Sequence, residues 1–138
     1  MYRVSKSVSF CYGHRLINYQ GKCRHLHGHN ARAVITLESA RLDDRGMVED
    51  FSDVKRLVWE WLDREIDHTL LLHRDDPVLP LLEGAGERVR VLDQNPTAEN
   101  IARMIFEFVA GSGYPVVEVT LWETETSRAT YDRVPAGS

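Results

Sequence analysis

The chain has 138 residues, of which 43% are apolar and 28% are charged, and its formal net charge is −4. This composition is typical of one folded domain over residues 1–138, and it argues against disorder and against nucleic-acid binding. No apolar run reaches the roughly 20 residues of a membrane helix, the first residues lack a secretory signal, and two cysteines make no disulfide framework. We therefore expect a cytoplasmic protein without membrane or nucleic-acid partners.

Apolar periodicity predicts six elements in the order strand, strand, helix, helix, strand, strand, with one long loop before the second helix. Asp50 or Ser52 is placed to cap the first helix, Thr97 to cap the second, and Gly111 to end it. In chain order we predict strands over 2–12 and 29–40, a helix over 53–65, a loop over 73–95, a helix over 98–110, and strands over 115–124 and 127–134.

This order of elements indicates an α+β fold. Two strand pairs that flank a helix pair (ββααββ) favour a four-stranded antiparallel sheet with both helices on one face. Such a sheet has two free edges, and free edges can pair with other copies of the chain. We therefore expect a homo-oligomer.

The most informative stretch is "CRHLHGHN", residues 23–30, which places Cys23, His25, His27 and His29 at every second position. In an extended strand, all four side chains point to the same side. His27 and His29 are well spaced to bind one metal ion, and zinc commonly takes three protein ligands in catalytic sites. The third ligand must come from His14, His25 or Cys23, and the geometry of a neighbouring strand favours His14.

The spacing of these residues leaves two other interpretations of this stretch open. The histidines can be ordinary polar surface residues. Alternatively, Cys23 and three histidines can close a structural zinc site that stabilises the fold and performs no chemistry.

A carboxylate at the end of the third predicted strand is also unusual. Glu123 shares strand parity with Val117, Val119 and Leu121, so it continues an apolar face. A buried carboxylate needs a partner. That partner can be the paired N–H donors of a ligand or, in the simpler alternative, Arg128.

Several further residues have simple structural interpretations. Taken alone, Asp67 and His68 indicate a histidine at a helix C-terminus, where the helix dipole favours it. Thr97 can act as a helix cap and can also contact a ligand. We interpret Cys11 as a small strand residue without chemistry.

Six segments in register resemble the 6-pyruvoyl-tetrahydropterin synthase and 6-carboxy-tetrahydropterin synthase family. They occur in the family's order and cover nearly the whole chain. The segments are "FCYGHRL" (10–16), "CRHLHGHN" (23–30), "GMVEDFSDVK" (46–55), "DHTLLL" (67–72), "NPTAEN" (95–100) and "WETETSRATY" (122–131).

The resemblance implies the tunnelling fold, in which the sheets of several subunits join into a β-barrel. It implies trimers, usually stacked as hexamers, with active sites between subunits. It also implies a role for each matching residue: zinc binding by His14, His27 and His29, proton acceptance by Cys23 together with the pair Asp67–His68, and pterin binding by Glu123. Beside its capping role, Thr97 is a candidate for pterin contact.

The resemblance also implies an activity. The family substrate is 7,8-dihydroneopterin triphosphate, and the Cys-x-x-x-His-Gly-His spacing is similar to bacterial enzymes of 7-deazapurine (queuosine) pathways. These zinc lyases release triphosphate and acetaldehyde and leave 6-carboxy-5,6,7,8-tetrahydropterin. The alternatives are a 6-pyruvoyl-tetrahydropterin synthase and a non-catalytic subunit stabilised by zinc. His25, Glu49 and the length of the 73–95 loop depart from the family pattern.

Overall fold

A computed structural model describes residues 1–133 of the chain. Six strands and three α-helices alternate along these residues, with a short 3₁₀ turn at Lys22–Arg24. The elements are β1 (Tyr2–His14), β2 (His27–Ser39), α1 (Phe51–Glu65), β3 (Thr69–His73), α2 (Leu79–Gly84), β4 (Val89–Leu92), α3 (Ala98–Gly111), β5 (Val116–Trp122) and β6 (Arg128–Asp132).

The strands form one sheet in the order β4-β3-β1-β2-β5-β6. The long β1–β2 hairpin, β2–β5 and β5–β6 pair antiparallel, whereas β1–β3 and β3–β4 pair parallel. The α+β class and the ββααββ framework are confirmed. The prediction of only four strands and two helices was wrong in detail, because β3, α2 and β4 lie between α1 and α3.

The predicted loop over 73–95 accounts for most of this difference. It contains α2 and β4, and β3 reaches its first residue. Strand β3 has the sequence "TLLLH", a short apolar run without alternation, and the consecutive residues Leu71 and Leu72 are both fully buried, so both faces of the strand are covered. Strand β4 has only four residues, which is too short for a periodic signal.

The hydrophobic core lies between one face of the sheet and the helices α1 and α3. On β2 the buried apolar side chains are those predicted from parity, Ala31, Ala33, Ile35 and Leu37, and Thr36 is buried as well. Helix α1 packs on β1, and α3 packs on β5 and β6. Helix α1 therefore lies on the face of β1 that carries its buried even positions, which include Tyr12 and His14.

The capping predictions for both long helices are confirmed. Asp50 accepts a hydrogen bond from the Ser52 N–H at the start of α1, and Thr97 accepts one from the Asn100 N–H at the start of α3. Gly111 is the last residue of α3. Within residues 1–133, no helix combines the length and the apolar character needed to span a bilayer.

The third predicted strand is confirmed with a local change of register. Thr36 pairs with Glu118 but Leu37 pairs with Val116, so Val117 forms a bulge. Val116 is therefore the buried residue and Val117 is only half-buried, contrary to the parity prediction. Val134, the last residue of the predicted fourth strand, lies outside the described residues.

Candidate metal centre and proton-transfer pair

The β1–β2 hairpin brings three histidines together. His14 lies directly opposite His27, and Tyr12 lies directly opposite His29, so all three imidazoles project from the core-facing side of the hairpin. Their ring centroids are separated by 4.5 Å (His14–His27), 5.0 Å (His27–His29) and 5.1 Å (His14–His29). His14 thus approaches from the neighbouring antiparallel strand, as the sequence predicts.

Backbone carbonyls orient two of these rings. His14 Nδ1 lies 2.6 Å from the Pro96 carbonyl oxygen, and His27 Nδ1 lies 2.7 Å from the His25 carbonyl oxygen. A carbonyl can only accept, so both Nδ1 atoms carry the proton and donate. Both Nε2 atoms therefore present a lone pair to the space between the rings, the tautomer that a metal ligand needs.

The Nε2 atoms of all three histidines are buried and have no hydrogen-bond partner among the described residues. Glu123 Oε1 lies 2.8 Å from His29 Nε2 and 3.6 Å from His14 Nε2, without hydrogen-bond geometry at either nitrogen. Unsatisfied buried nitrogens are rare in proteins. Three imidazole nitrogens and one carboxylate oxygen within 4.8 Å of one another fit a divalent metal ion such as zinc.

The electrostatics of this cluster favour the same protonation states. His14 is the main cause that lowers the pKa of Glu123, against the opposing effect of burial, so Glu123 is ionised at neutral pH. Burial is the main cause that lowers the pKa of His29, which keeps the imidazole neutral. A metal site requires neutral imidazole and ionised carboxylate.

Asp67 and His68 lie in the connection from α1 to β3 rather than at a free helix end. Asp67 Oδ2 lies 2.6 Å from His68 Nδ1, and Asp67 Oδ1 accepts the Cys11 N–H at 2.9 Å. Burial alone would raise the pKa of Asp67, but the hydrogen bonds from Cys11 and His68 lower it. His68 has φ 55°, a left-handed conformation that is uncommon for a residue with a β-carbon and is found at functional sites.

Sequence reasoning assigned no chemistry to Cys11, yet its side chain contacts this pair. Cys11 Sγ lies 3.5 Å from His68 Nδ1, and the Cys11 carbonyl accepts the His68 N–H at 2.9 Å. These residues are 57 positions apart in the chain, so periodicity within a single strand carries no signal of the contact. The sequence motif "DHTLLL" identified the pair but not this third residue.

Other predicted site residues lie outside the two clusters. Cys23 is half-buried in the 3₁₀ turn, and the side chain of His25 is exposed. Thr97 contributes its hydroxyl to the cap of α3. Arg128, the predicted alternative partner of Glu123, stacks on Trp122. The carboxylate of Glu123 lies beside His14 and His29 instead.

A cleft of about 590 Å³ passes over the opposed glycines Gly13 and Gly28. His27 and His29 line this cleft from β2 and His68 lines it from the connection before β3, but the glycine floor lies on the face of the hairpin opposite to the three imidazoles. Clefts of this size bind small molecules. A β-carbon at Gly28 would lie 3.2 Å from the Tyr12 carbonyl oxygen, which is a tight approach. Glycine avoids this contact and adds no side chain to the floor of the cleft.

Tyr12 is a further residue that sequence reasoning missed. Its hydroxyl is buried without a hydrogen-bond partner among residues 1–133, and its ring meets that of His14 edge to face at 5.1 Å. Burial, and then the charge of Glu123, raise the pKa of Tyr12, so the hydroxyl stays protonated. Its parity with His14 on β1 was the available signal.

Comparison with known proteins agrees with the fold. The family profile described as 6-pyruvoyl tetrahydropterin synthase matches residues 3–134. A relative from Rickettsia bellii, named 6-carboxy-5,6,7,8-tetrahydropterin synthase, is 40% identical over 104 residues, which are 74% of this chain and 75% of the relative. Other bacterial relatives carry the same name.

Two solved structures are similar over nearly the whole chain. An uncharacterized protein from Wolinella succinogenes is 28% identical with a TM-score of 0.79, and covers 96% of this chain and 98% of its own. Caenorhabditis elegans 6-pyruvoyl tetrahydropterin synthase shares the fold with a TM-score of 0.70, 24% identity and 96% coverage of both chains. The chain belongs to the 6-pyruvoyl tetrahydropterin synthase family, has its tunnelling fold, and is an enzyme.

Proposed function

We propose that the protein is a zinc-dependent lyase that converts 7,8-dihydroneopterin triphosphate into 6-carboxy-5,6,7,8-tetrahydropterin, with release of triphosphate and acetaldehyde. The observation that carries this proposal is the set of three buried, unpartnered Nε2 atoms beside an ionised Glu123. The name of the Rickettsia bellii relative supports the carboxy product over the pyruvoyl product.

His14, His27 and His29 would hold the zinc ion. When bound, zinc supplies a Lewis acid that stabilises negative charge on the side-chain hydroxyls of the substrate. The carbonyls of Pro96 and His25 keep the two rings of His14 and His27 in place before metal and substrate arrive. Because no tautomer change is required, binding does not have to supply the energy for one.

Glu123 would anchor the pterin. The aminopyrimidinone edge of a pterin carries two adjacent N–H donors, and an ionised carboxylate can accept both. The lowered pKa of Glu123 favours the ionised form throughout the neutral range. Since Glu123 also lies beside His14 and His29, it would set the distance between the pterin ring and the metal ligands. Thr97, which follows the carbonyl that orients His14, is a second candidate for pterin contact.

Asp67 and His68 would move the proton. An ionised Asp67 can only accept, so the His68 Nδ1 carries a proton and Nε2 has the free lone pair. The Nε2 atom is therefore the group in this pair that can accept a proton. The His68 side chain is 75% exposed in the single chain, which leaves it accessible to a thiol or a substrate.

Cys23, as the thiolate, would take the carbon-bound proton and exchange it with His68. The contacts of Asp67 and His68 in the single chain go to Cys11, so Cys23 would meet the pair of another subunit. The sheet ends in β4 on one side and β6 on the other, and both edges offer backbone groups for pairing with further copies. We propose a trimer, or a hexamer of two trimers, with active sites between subunits.

The deciding experiment is product analysis with 7,8-dihydroneopterin triphosphate as the substrate of the zinc-loaded protein. Mass spectrometry should show 6-carboxy-5,6,7,8-tetrahydropterin, and acetaldehyde should appear in equal amount. A 6-pyruvoyl product without acetaldehyde would identify the alternative synthase. Zinc binding with no turnover would favour the non-catalytic subunit.

A further inference from the structure

We propose that Cys11, Asp67 and His68 form a second metal site, distinct from the three-histidine centre, which takes a thiophilic divalent cation such as Zn²⁺ and thereby stops His68 from accepting protons. The three residues offer a thiolate sulfur, a carboxylate oxygen and an imidazole nitrogen within 4.8 Å of one another. No role in the proposed reaction uses Cys11.

The distances between the donor atoms are close to those of a tetrahedral site. Zinc bonds of about 2.0–2.3 Å place neighbouring ligand atoms roughly 3.3–3.6 Å apart. Cys11 Sγ and His68 Nδ1 are already 3.5 Å apart. Asp67 Oδ2 and His68 Nδ1, now at 2.6 Å, would move apart when the ion replaces the proton between them, and the His68 side chain is 75% exposed.

The backbone holds these donors together without a metal. The Cys11 N–H donates to Asp67 Oδ1 at 2.9 Å, and the His68 N–H donates to the Cys11 carbonyl oxygen at 2.9 Å. The left-handed φ of His68 turns its side chain back towards Asp67 and Cys11. A site assembled in advance loses little conformational entropy when an ion binds.

The donor set selects the class of cation. A thiolate and a carboxylate carry two negative charges, which balance a dication, and the sulfur favours zinc, cobalt or cadmium over magnesium and calcium. Cys11 lies on the face of β1 opposite to Tyr12 and His14, because successive side chains of a strand alternate. The second site therefore lies on the other side of the sheet from the three-histidine centre.

Occupation of this site has a chemical consequence. A metal bound at His68 Nδ1 takes the place of the proton that Asp67 now holds there, and a neutral imidazole then carries its proton on Nε2. Nε2 can no longer accept a proton. Excess zinc should therefore inhibit the enzyme, a consequence that rests on the proposed function, whereas the binding itself does not.

Cobalt titration tests the binding. Protein already loaded with one equivalent of zinc is titrated with Co²⁺, and the thiolate-to-cobalt charge-transfer band in the near ultraviolet is recorded. The parent and the matched control Cys23→Ser should take a further equivalent and develop the band. Cys11→Ser should lose the band and bind the second equivalent of cobalt at least about 10-fold more weakly. A loss of about 10-fold is the lower end of the range for removing a group that only supports a metal ligand.

A second variant keeps the test decisive if Cys11→Ser misfolds. His68→Asn is compatible with the left-handed backbone, since asparagine adopts it readily, and it should also weaken the band. A band that persists in Cys11→Ser and disappears in Cys23→Ser would overturn the assignment, as would a parent protein that shows no band.

Turnover in excess zinc tests the consequence. For each protein, the turnover rate in excess Zn²⁺ is divided by the rate of the same protein without excess Zn²⁺. This ratio should be well below one for the parent and much closer to one for Cys11→Ser. Equal inhibition of both proteins would overturn the switching role. If the protein turns over no pterin at all, the proposed function fails while the cobalt band still decides the second site.

Discussion

His14 donates its Nδ1 proton to the carbonyl oxygen of Pro96, 2.6 Å away and 82 residues further along the chain. This bond connects the end of β1 to the segment that caps α3. It fixes the tautomer of a buried imidazole whose Nε2 has no other partner among residues 1–133. The "NPTAEN" segment thus supports the metal centre through its backbone.

The metal centre should therefore depend on His14 and not on the side chain of His25. His14→Ala removes one of three nitrogen ligands and should lower the bound zinc well below one equivalent. His25→Ala, the matched control, keeps the backbone carbonyl that orients His27 and should keep full zinc content. Metal analysis of both purified variants checks this. Loss of zinc in His25→Ala alone would exchange the roles of the two histidines.

Glu123→Gln should weaken pterin binding and leave the zinc content unchanged. The amide offers one acceptor where the ionised carboxylate offers two, and it carries no charge. We expect KM to rise by roughly 10-fold or more, in line with about 1.5–3 kcal/mol for a hydrogen bond to a charged group. Steady-state kinetics and metal analysis on the same sample give both quantities. If zinc is lost instead, Glu123 is a metal ligand, which its 2.8 Å approach to His29 Nε2 would then explain.

The ion pair between half-buried Arg15 and buried Asp76 should stabilise the fold in a pH-dependent manner. Arg15 follows His14 directly, and its guanidinium donates from both Nε and Nη2 to Asp76, which is only 2% exposed. Burial would raise the pKa of Asp76, but Arg15 and the Val78 N–H lower it. Asp76→Asn should cost about 3 kcal/mol of unfolding free energy near neutral pH, since it leaves the cation without its counter-charge.

The pH dependence follows from the lowered pKa of Asp76. The stabilisation is complete above the ordinary aspartate pKa of about 4 and is lost as the pH falls through the lower pKa of the folded state. The difference in stability between the parent and Asp76→Asn should therefore shrink on acidification below about pH 4. Urea titrations of both proteins over a pH series measure it. A difference that stays constant with pH would show that packing, and not charge, is responsible.

Much of the geometry of the candidate metal centre could be predicted because it follows from strand parity and pairing. Alternation placed His27 and His29 on the core-facing side of β2, and hairpin geometry placed His14 opposite His27.

The orienting carbonyls of Pro96 and His25 could not be predicted, because backbone atoms are the same at every residue. Long-range contacts such as Cys11–His68 were missed for a related reason, since they depend on how β3 docks beside β1.

The strands of the sheet also divide into those that the sequence pattern predicted and those that it did not. Strands β1, β2 and β5 alternate because one face packs on helices and the other does not, and this pattern predicted them. Strand β3 lies between β4 and β1, and its adjacent residues Leu71 and Leu72 are buried on opposite faces, so its run of leucines carries no period. The bulge at Val117 shifted which valine faces the core, a detail set by pairing with β2.

The assembly should contain a multiple of three chains. Within residues 1–133, β4 and β6 are the edge strands of the sheet, and Trp59 on α1 is a large apolar side chain that is 37% exposed. Subunit pairing would extend the sheet at these edges and cover this side chain. Light scattering after size-exclusion chromatography measures the mass. A stable, active monomer would contradict both the assembly and the shared active site.

Mixed assemblies should show that Cys23 and His68 act from different subunits. Cys23→Ala and His68→Asn should each keep the fold and the zinc, and each should lose roughly 10²-fold or more in rate, the scale of a positioned acid–base group. If both variants are dissociated together and reassembled in equal amounts, about one quarter of the shared sites receive an intact cysteine from one chain and an intact histidine from the next. The mixture should then recover about one quarter of the parental rate, whereas each variant treated alone should recover none. A mixture as inactive as its components would place both residues in the same chain. Parental activity of Cys23→Ala by itself would remove the cysteine from the mechanism.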